Sequence, residues 1–113
     1  MHIEILKHPH GDVIAHEDAS SGKFVIRPDG SVWYENSLAQ ENACFVNTNM
    51  PVFLECAAAL SQYTADIATT DGEPEQLEFV RRLTVILSDI GVLPGSPDSF
   101  WPLIIEQAED GLV

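Results

Sequence analysis

The sequence predicts an α+β fold in which an antiparallel β-sheet, built from N-terminal strands, packs on C-terminal helices. Apolar and polar residues alternate in short runs as far as Val46, which is typical of strands. Beyond that point apolar residues recur at helical spacing. Strands followed by helices are the pattern of an α+β domain. The 113 residues suit a single domain spanning residues 1–113.

The strand segments are short and are bounded by residues that favour turns. Between two of them, Pro28 fixes the backbone for a turn and Gly30 tolerates a positive φ, so a β-hairpin is predicted there. The last segment is apolar on both faces, which predicts a central strand. The predicted strands are Ile3–Ile5, Val13–Ala15, Lys23–Arg27, Ser31–Tyr34 and Ala43–Val46.

A polar turn, Asn47–Asn49, separates the last strand from the first helix. Asn and Thr side chains accept hydrogen bonds from the free N–H groups at a helix start, and Asn49 or Thr48 is the expected cap. Pro51 suits the first helical turn because its missing N–H costs nothing there. We therefore predict a helix from Met50 to about Ala65.

Two further helices complete the predicted fold. The second begins near Glu73 and ends at Gly91, a natural C-cap. The third begins around Pro97–Ser99, with Ser96 or Asp98 as cap, and ends at Gly111. Their expected buried stripes are Leu77, Val80, Leu83, Leu87 and Ile90 in the second helix and Phe100, Trp101, Ile104, Ile105 and Ala108 in the third.

The charge balance narrows the class of partner. Five basic residues stand against 18 acidic ones, which gives a net charge of −13. This charge disfavours nucleic acid and anionic membrane, since phosphate binding requires Lys and Arg. It attracts a basic protein partner, although acidic surfaces also serve solubility. The N-terminus lacks the pattern of a signal peptide, so we expect a cytoplasmic protein.

The N-terminal histidines are the strongest enzymatic candidate. His8, His10 and His16 with the neighbouring Glu17 are residue types that bind divalent metals. Pro9 and Gly11 interrupt the spacing, and no nucleophile elbow or phosphate-binding loop is present. We therefore expect no metal, no cofactor and no enzymatic activity. A metal-dependent enzyme using these histidines remains the less favoured alternative.

Three stretches resemble the SUKH superfamily of bacterial immunity proteins. Phe45–Phe53 resembles a motif in which a strand ends in a Val-Asn-Ser-Ser-like turn and a helix with an aromatic residue follows. Gly22–Asn36 is similar to the preceding hairpin of that family, and Phe100–Val113 to its closing helix. The resemblance covers roughly residues 23–113 and implies a SUKH-like α+β domain.

The resemblance also implies a function. Proteins of that family neutralise toxins, often nucleases or deaminases used against competing bacteria, by binding them directly. We therefore expect a non-enzymatic protein-binding module whose partner is a basic protein, a toxin. Whether the protein also forms a homodimer is left open. The alternative within the binding class is a small acidic secretion chaperone.

An aromatic pair supplies the candidate partner-binding site. Trp33 and Tyr34 are adjacent, so on a strand they face opposite sides, and we expect one in the core and the other as an exposed anchor. Acidic residues would form a rim around the anchor and speed the encounter with a basic partner. The candidate partner-binding residues are Trp33, Tyr34, Glu35, Glu41, Asp71 and Glu73.

Overall fold

A computed structural model of the chain describes residues 3–8, 11–17, 22–36, 43–69, 72–93, 95 and 99–110, with the backbone alone for residues 36, 73 and 74. Within these ranges five strands precede three helices, which confirms the predicted α+β class. The strands are β1 (Ile3–Ile5), β2 (Val13–Glu17), β3 (Gly22–Ile26), β4 (Val32–Asn36) and β5 (Cys44–Asn47). The helices are α1 (Met50–Ala68), α2 (Glu73–Ile90) and α3 (Phe100–Glu109).

The strands form one antiparallel sheet in the order β1-β2-β3-β4-β5. The predicted hairpin joins β3 to β4. Its turn is closed by hydrogen bonds from the Gly30 N–H to the Arg27 carbonyl (2.8 Å) and from the Arg27 N–H to the Ser31 carbonyl (2.9 Å). Gly30 has φ 89°, the left-handed conformation that this turn requires and that glycine adopts without strain. The turn fixes the register that places Val25 opposite Trp33.

The position of β5 differs from the prediction. Among the described strands it lies at the end of the sheet, beside β4 alone, and not at its centre. Both of its faces are apolar because each makes apolar contacts even at the end of the sheet. Phe45 packs against the ring of Trp33 on one face, and Val46 is buried on the other. A register shift between Val32 and Trp33 accommodates this pairing.

An aromatic cluster fills one face of the sheet. Phe24 is fully buried, and its ring centroid lies 5.2 Å from that of Tyr34 and 5.1 Å from that of Phe53 in the first turn of α1. The Tyr34 hydroxyl donates a hydrogen bond of 2.6 Å to Glu17 Oε2. Gly22 lies directly beneath this tyrosine, since an added Cβ would come within 2.6 Å of Tyr34 Cε2. The absence of a side chain at Gly22 thus leaves room for the ring.

The start of α1 confirms the predicted cap and identifies the capping residue. Asn49 Oδ1 accepts a hydrogen bond of 3.0 Å from the Val52 N–H, the contact that an N-cap residue makes. Pro51 lies in the first turn, as expected. The helix continues to Ala68, three residues beyond the predicted end at Ala65.

Replacing Asn49 by alanine should lower the free energy of unfolding by about 1 kcal/mol, because a helix N–H loses its acceptor. Thr48 is the matched control: it is exposed and adjacent, and Thr48→Ala should change stability by less than about 0.5 kcal/mol. Urea denaturation of both variants provides the measurement. Equal losses for the two substitutions would contradict the assignment of the cap to Asn49.

The chain forms two compact units, Met1–Leu54 and Glu55–Val113. In the second unit α2 ends as predicted, with Gly91 at φ 98° and its N–H bonded to the carbonyls of Leu87 and Ser88. The third helix begins at Phe100, and Ser99 occupies its N-cap position without a side-chain cap bond. Ser96, Asp98 and Gly111, which the sequence predicted as the helix ends, lie outside the described residues.

The buried stripes were predicted correctly apart from two residues of α2. Every predicted core residue of α3 is buried, and Val80, Leu83 and Leu87 are buried in α2, where Ile90 is half-buried. Leu77 is instead 52% exposed. At 100° per residue it lies about 80° around the helix axis from Leu87, which turns it away from the buried stripe.

Candidate protein-binding surface on the sheet

The face of the sheet opposite Phe24 carries two rows of side chains that run across the strands. Cross-strand pairing aligns an apolar row beside a polar row on the same face, because directly paired residues of antiparallel strands point the same way. The apolar row is Val13, Val25, Trp33 and Phe45, and the polar row is Glu4, His16, Lys23 and Glu35. We call these eight residues, together with Arg27, the Trp33 face.

Trp33 is held in one orientation by the hairpin turn. Its indole Nε1–H donates a hydrogen bond of 2.9 Å to Ser31 Oγ, and the Ser31 hydroxyl donates one of 2.6 Å to Asp29 Oδ1. The Ser31 backbone N–H also donates to Asp29 Oδ1, at 3.0 Å. The turn that sets the hairpin register therefore also fixes the indole, so little side-chain freedom remains to be lost on binding.

Two neighbours complete the surroundings of the indole. The Arg27 guanidinium carbon lies 3.8 Å from the Trp33 ring centroid, a cation–π contact, and the Phe45 ring meets the indole edge-to-face at 5.5 Å. Trp33 and Phe45 nevertheless stay only half-buried. An aromatic pair that is immobilised but still accessible is typical of a binding hot spot.

A shallow groove of about 280 Å³ runs along the same face and is lined by apolar and charged residues. Its apolar part is contributed by Val13, Val25, Ile26 and Pro28. Two cations, Lys23 and Arg27, and two carboxylates, Asp12 and Glu35, lie along it, so its formal charge is zero. The excess negative charge of the chain therefore resides outside this groove.

The Ser31 hydroxyl, then the Ser31 N–H, hold the pKa of Asp29 below its usual value, and the charge of Arg27 adds to the effect. The stabilising hydrogen bonds are therefore fully present above the unfolded pKa of about 3.9 and are lost as the pH falls through the lower folded value.

Acid titration should accordingly shift the NMR resonance of the Trp33 indole N–H below about pH 4, where Asp29 gains a proton. Asp29→Asn should remove this shift, because the amide keeps an acceptor oxygen and does not titrate. Asp12→Asn, which changes another exposed carboxylate near the same face, is the control and should retain it. An unchanged titration in Asp29→Asn would rule out this coupling.

The structure brings some of the predicted site residues together. Trp33 and Glu35 lie on one face of β4, two residues apart, and both are half-buried. Tyr34 points to the opposite face, also half-buried, where Phe24 and Glu17 hold it. Of the remaining predicted residues, Glu41 and Asp71 lie outside the described ranges, and Glu73 begins α2 with its side chain undescribed.

Sequence reasoning missed Lys23, Val25, Arg27 and Phe45. The signal for the first three was present, because they alternate along β3 and the turn after Arg27 fixes the register that pairs Val25 with Trp33. Phe45 had no such signal. Its contact with Trp33 depends on a pairing that passes through a register shift.

The histidines of the alternative enzymatic reading are only partly described. His8 and His16 are exposed, whereas His10 falls outside the described residues. Within the part of the chain that the structure describes, no three His, Cys, Asp or Glu residues form a group suited to a metal ion. His16 instead lies in the polar row, paired with Lys23 on one side and Glu4 on the other.

Comparison with family models, curated proteins and solved structures gave no match for this chain. None of the helices in the described ranges combines the length and the apolar character needed to cross a bilayer.

Proposed function

We propose that this protein is a non-enzymatic binding module that neutralises a basic protein, a bacterial toxin, by direct contact through the Trp33 face. The observation that carries the proposal is the fixed and only half-buried indole of Trp33, which lies beside Phe45 in an apolar row. Aromatic residues with restricted motion supply much of the affinity of protein interfaces. The toxin as partner rests on the SUKH resemblance of the sequence.

The negative charge of the chain supports a basic partner because it speeds association. It does not act through the contact with Trp33. A net charge of −13 creates an attractive field for a cationic surface, while the groove beside Trp33 has no net formal charge. Long-range attraction and short-range contact are thus separated: the field brings the partner in, and the apolar row retains it.

Purification of proteins bound to the intact chain tests the proposal and separates its alternatives. The immunity function requires capture of a folded, basic toxin whose activity is lost on binding. A secretion chaperone would instead bind an exported effector before its export. Elemental analysis showing one divalent metal per chain, lost in His16→Ala, would favour the metal-dependent enzyme.

With the partner in hand, Glu35→Lys should slow association several-fold at low ionic strength, because it reverses a charge on the Trp33 face. At about 0.5 M salt the effect should fall below about two-fold, since exposed charges are then screened. Glu109→Lys is the matched control: it makes the same change in net charge at an exposed position of α3. Stopped-flow or surface-based kinetics at two ionic strengths provide the measurement.

If both substitutions slow association equally, the attraction comes from the net charge of the whole chain, and Glu35 does not lie in the contact with the partner. A rate that responds to neither salt nor substitution would leave the acidity as a solubility feature.

A further inference from the structure

The outward face of α2 carries an apolar patch that the helix does not bury. Leu77, Val85 and Ile86 are 52%, 53% and 43% exposed. They lie on two neighbouring ridges of the helix, Leu77–Arg81–Val85 and Glu78–Arg82–Ile86, in which successive members are four residues apart. A shallow groove of about 320 Å³ runs between Arg81, Arg82, Val85 and Ile86. We call Leu77, Glu78, Arg81, Arg82, Val85 and Ile86 the α2 face.

The α2 face is also where the positive charge of the second unit is concentrated. Residues 55–113 contain 11 acidic residues against Arg81 and Arg82, a balance of −9. The α2 face itself carries two arginines and Glu78, a balance of +1. Its complement is therefore an apolar surface that presents carboxylates.

The same face presents the carboxylate as well as the arginines. Arg81 Nη2 lies 2.8 Å from both oxygens of Glu78, whereas Arg82 Nε lies 3.4 Å from Glu78 Oε1. The Arg82 side chain is 62% exposed and its guanidinium has five N–H donors, so it retains donors for a second carboxylate. Opposite charges one turn apart on one face allow it to complement a rotated copy of itself.

We propose that this protein self-associates as a two-fold symmetric dimer through the α2 face of each copy. In an antiparallel pair of α2 helices with the two-fold axis level with Val80, Arg82 of each copy faces Glu78 of the second copy. Since a helix rises 1.5 Å per residue, Leu77 of one copy then lies about 3 Å, along the helix axis, from Val85 of the second copy. Leu77 and Val85 are about 80° apart around the helix, so one register pairs the charges and also brings these two apolar residues of the two copies together.

The dimer is weak. A single pair of 18-residue helices is about 27 Å long and buries an area near the lower limit of about 1,000 Å² for specific interfaces. Repulsion between two acidic chains opposes association further. Dimerisation therefore belongs in the range of about 10 μM to 1 mM chain, where a reversible equilibrium is measurable.

Sedimentation equilibrium of the full chain over that range, in about 0.15 M salt, should show an average mass rising with concentration from one chain towards two. Val85→Glu with Ile86→Glu should raise the dimer dissociation constant at least about 10-fold. Leu54→Glu with Leu103→Glu adds the same charge at two exposed leucines outside the α2 face and should change it less than about three-fold. Circular dichroism verifies that each variant is folded.

A charge exchange tests the symmetry independently of the apolar patch. Arg82→Glu and Glu78→Arg should each weaken the dimer, because every copy then opposes like charges. An equimolar mixture of the two variants should recover it as a heterodimer, since each contact again joins an arginine to a glutamate. Native mass spectrometry distinguishes the mixed dimer when one variant is isotope-labelled.

A wild-type chain that stays monomeric at about 1 mM would overturn the proposal. So would a dimer that the paired leucine control weakens as much as the α2 variant does, or a mixture of the charge variants that shows no recovery.

Discussion

Replacing Phe24 by alanine is expected to lower the free energy of unfolding by about 3–5 kcal/mol, a large part of the about 5–15 kcal/mol that stabilises a typical domain. The side chain is fully buried between the rings of Tyr34 and Phe53. Its removal loses transfer free energy and leaves a cavity that two rigid rings cannot collapse to fill. The remaining stability is measured by urea denaturation followed by circular dichroism.

Phe24→Leu is the graded control for this substitution, because it keeps most of the apolar volume. The loss of unfolding free energy in Phe24→Leu should be smaller than that in Phe24→Ala, and the difference should be at least about 1–2 kcal/mol. Phe45 provides a second control in the same sheet: it is only half-buried, so Phe45→Ala should cost less than Phe24→Ala. Similar losses at Phe24 and Phe45 would show that the aromatic cluster is not the centre of the sheet's stability.

Replacing Trp33 by alanine is expected to weaken partner binding at least about 30-fold, equivalent to about 2 kcal/mol, through faster dissociation. The indole is only half-buried and is fixed by Ser31 and Arg27, so little conformational entropy is lost when it is contacted on binding. Dissociation rates against the captured partner provide the measurement, and association at low salt should change far less.

Tyr34→Phe is the matched control. Tyr34 is the neighbouring aromatic residue, but it points to the opposite face, where its hydroxyl donates a hydrogen bond to Glu17. The substitution should leave dissociation within about two-fold of the wild-type rate. If Tyr34→Phe weakens binding and Trp33→Ala does not, the partner contacts the opposite face of the sheet and the Trp33 face is not the binding surface.

Local backbone preferences explain which parts of this fold the sequence predicts. Pro28 and Gly30 determine the hairpin turn, Asn49 caps α1, and Gly91 ends α2 in the left-handed conformation. Each of these features depends on residues within four positions of one another, so no knowledge of the tertiary structure is needed. The strand and helix order, and with it the α+β class, follows from the same local signals.

The errors arise where position in the sheet or on the helix depends on residues outside the segment itself. The apolar character of β5 predicted a central strand, but its place at the end of the sheet depends on which strands pair, and its own pattern does not encode that. Leu77 matched the apolar spacing of α2 yet lies at the margin of the buried stripe, where spacing alone cannot distinguish core from surface. The local sequence pattern thus indicates the periodicity of apolar residues but not how deeply each of them is buried.

The candidate surface divides in the same way. Strand alternation predicts that Trp33 and Glu35 share a face. It also predicts that Tyr34 points to the opposite face. The position of Arg27 over the indole requires a side-chain conformation as well as a register. The network from Trp33 through Ser31 to Asp29 likewise needed atomic positions, although its residues alternate within one hairpin.

The sequential order of the strands has a kinetic consequence. Each described strand pairs with its neighbour along the chain, so the sheet has low contact order and each pairing closes a short loop. For a β-structure of this kind the conformational search is brief, because no strand must wait for a distant partner. The hairpin of β3 and β4 needs only its own turn to align Val25 with Trp33. We therefore expect the surface around Trp33 to be assembled among the earliest events of folding.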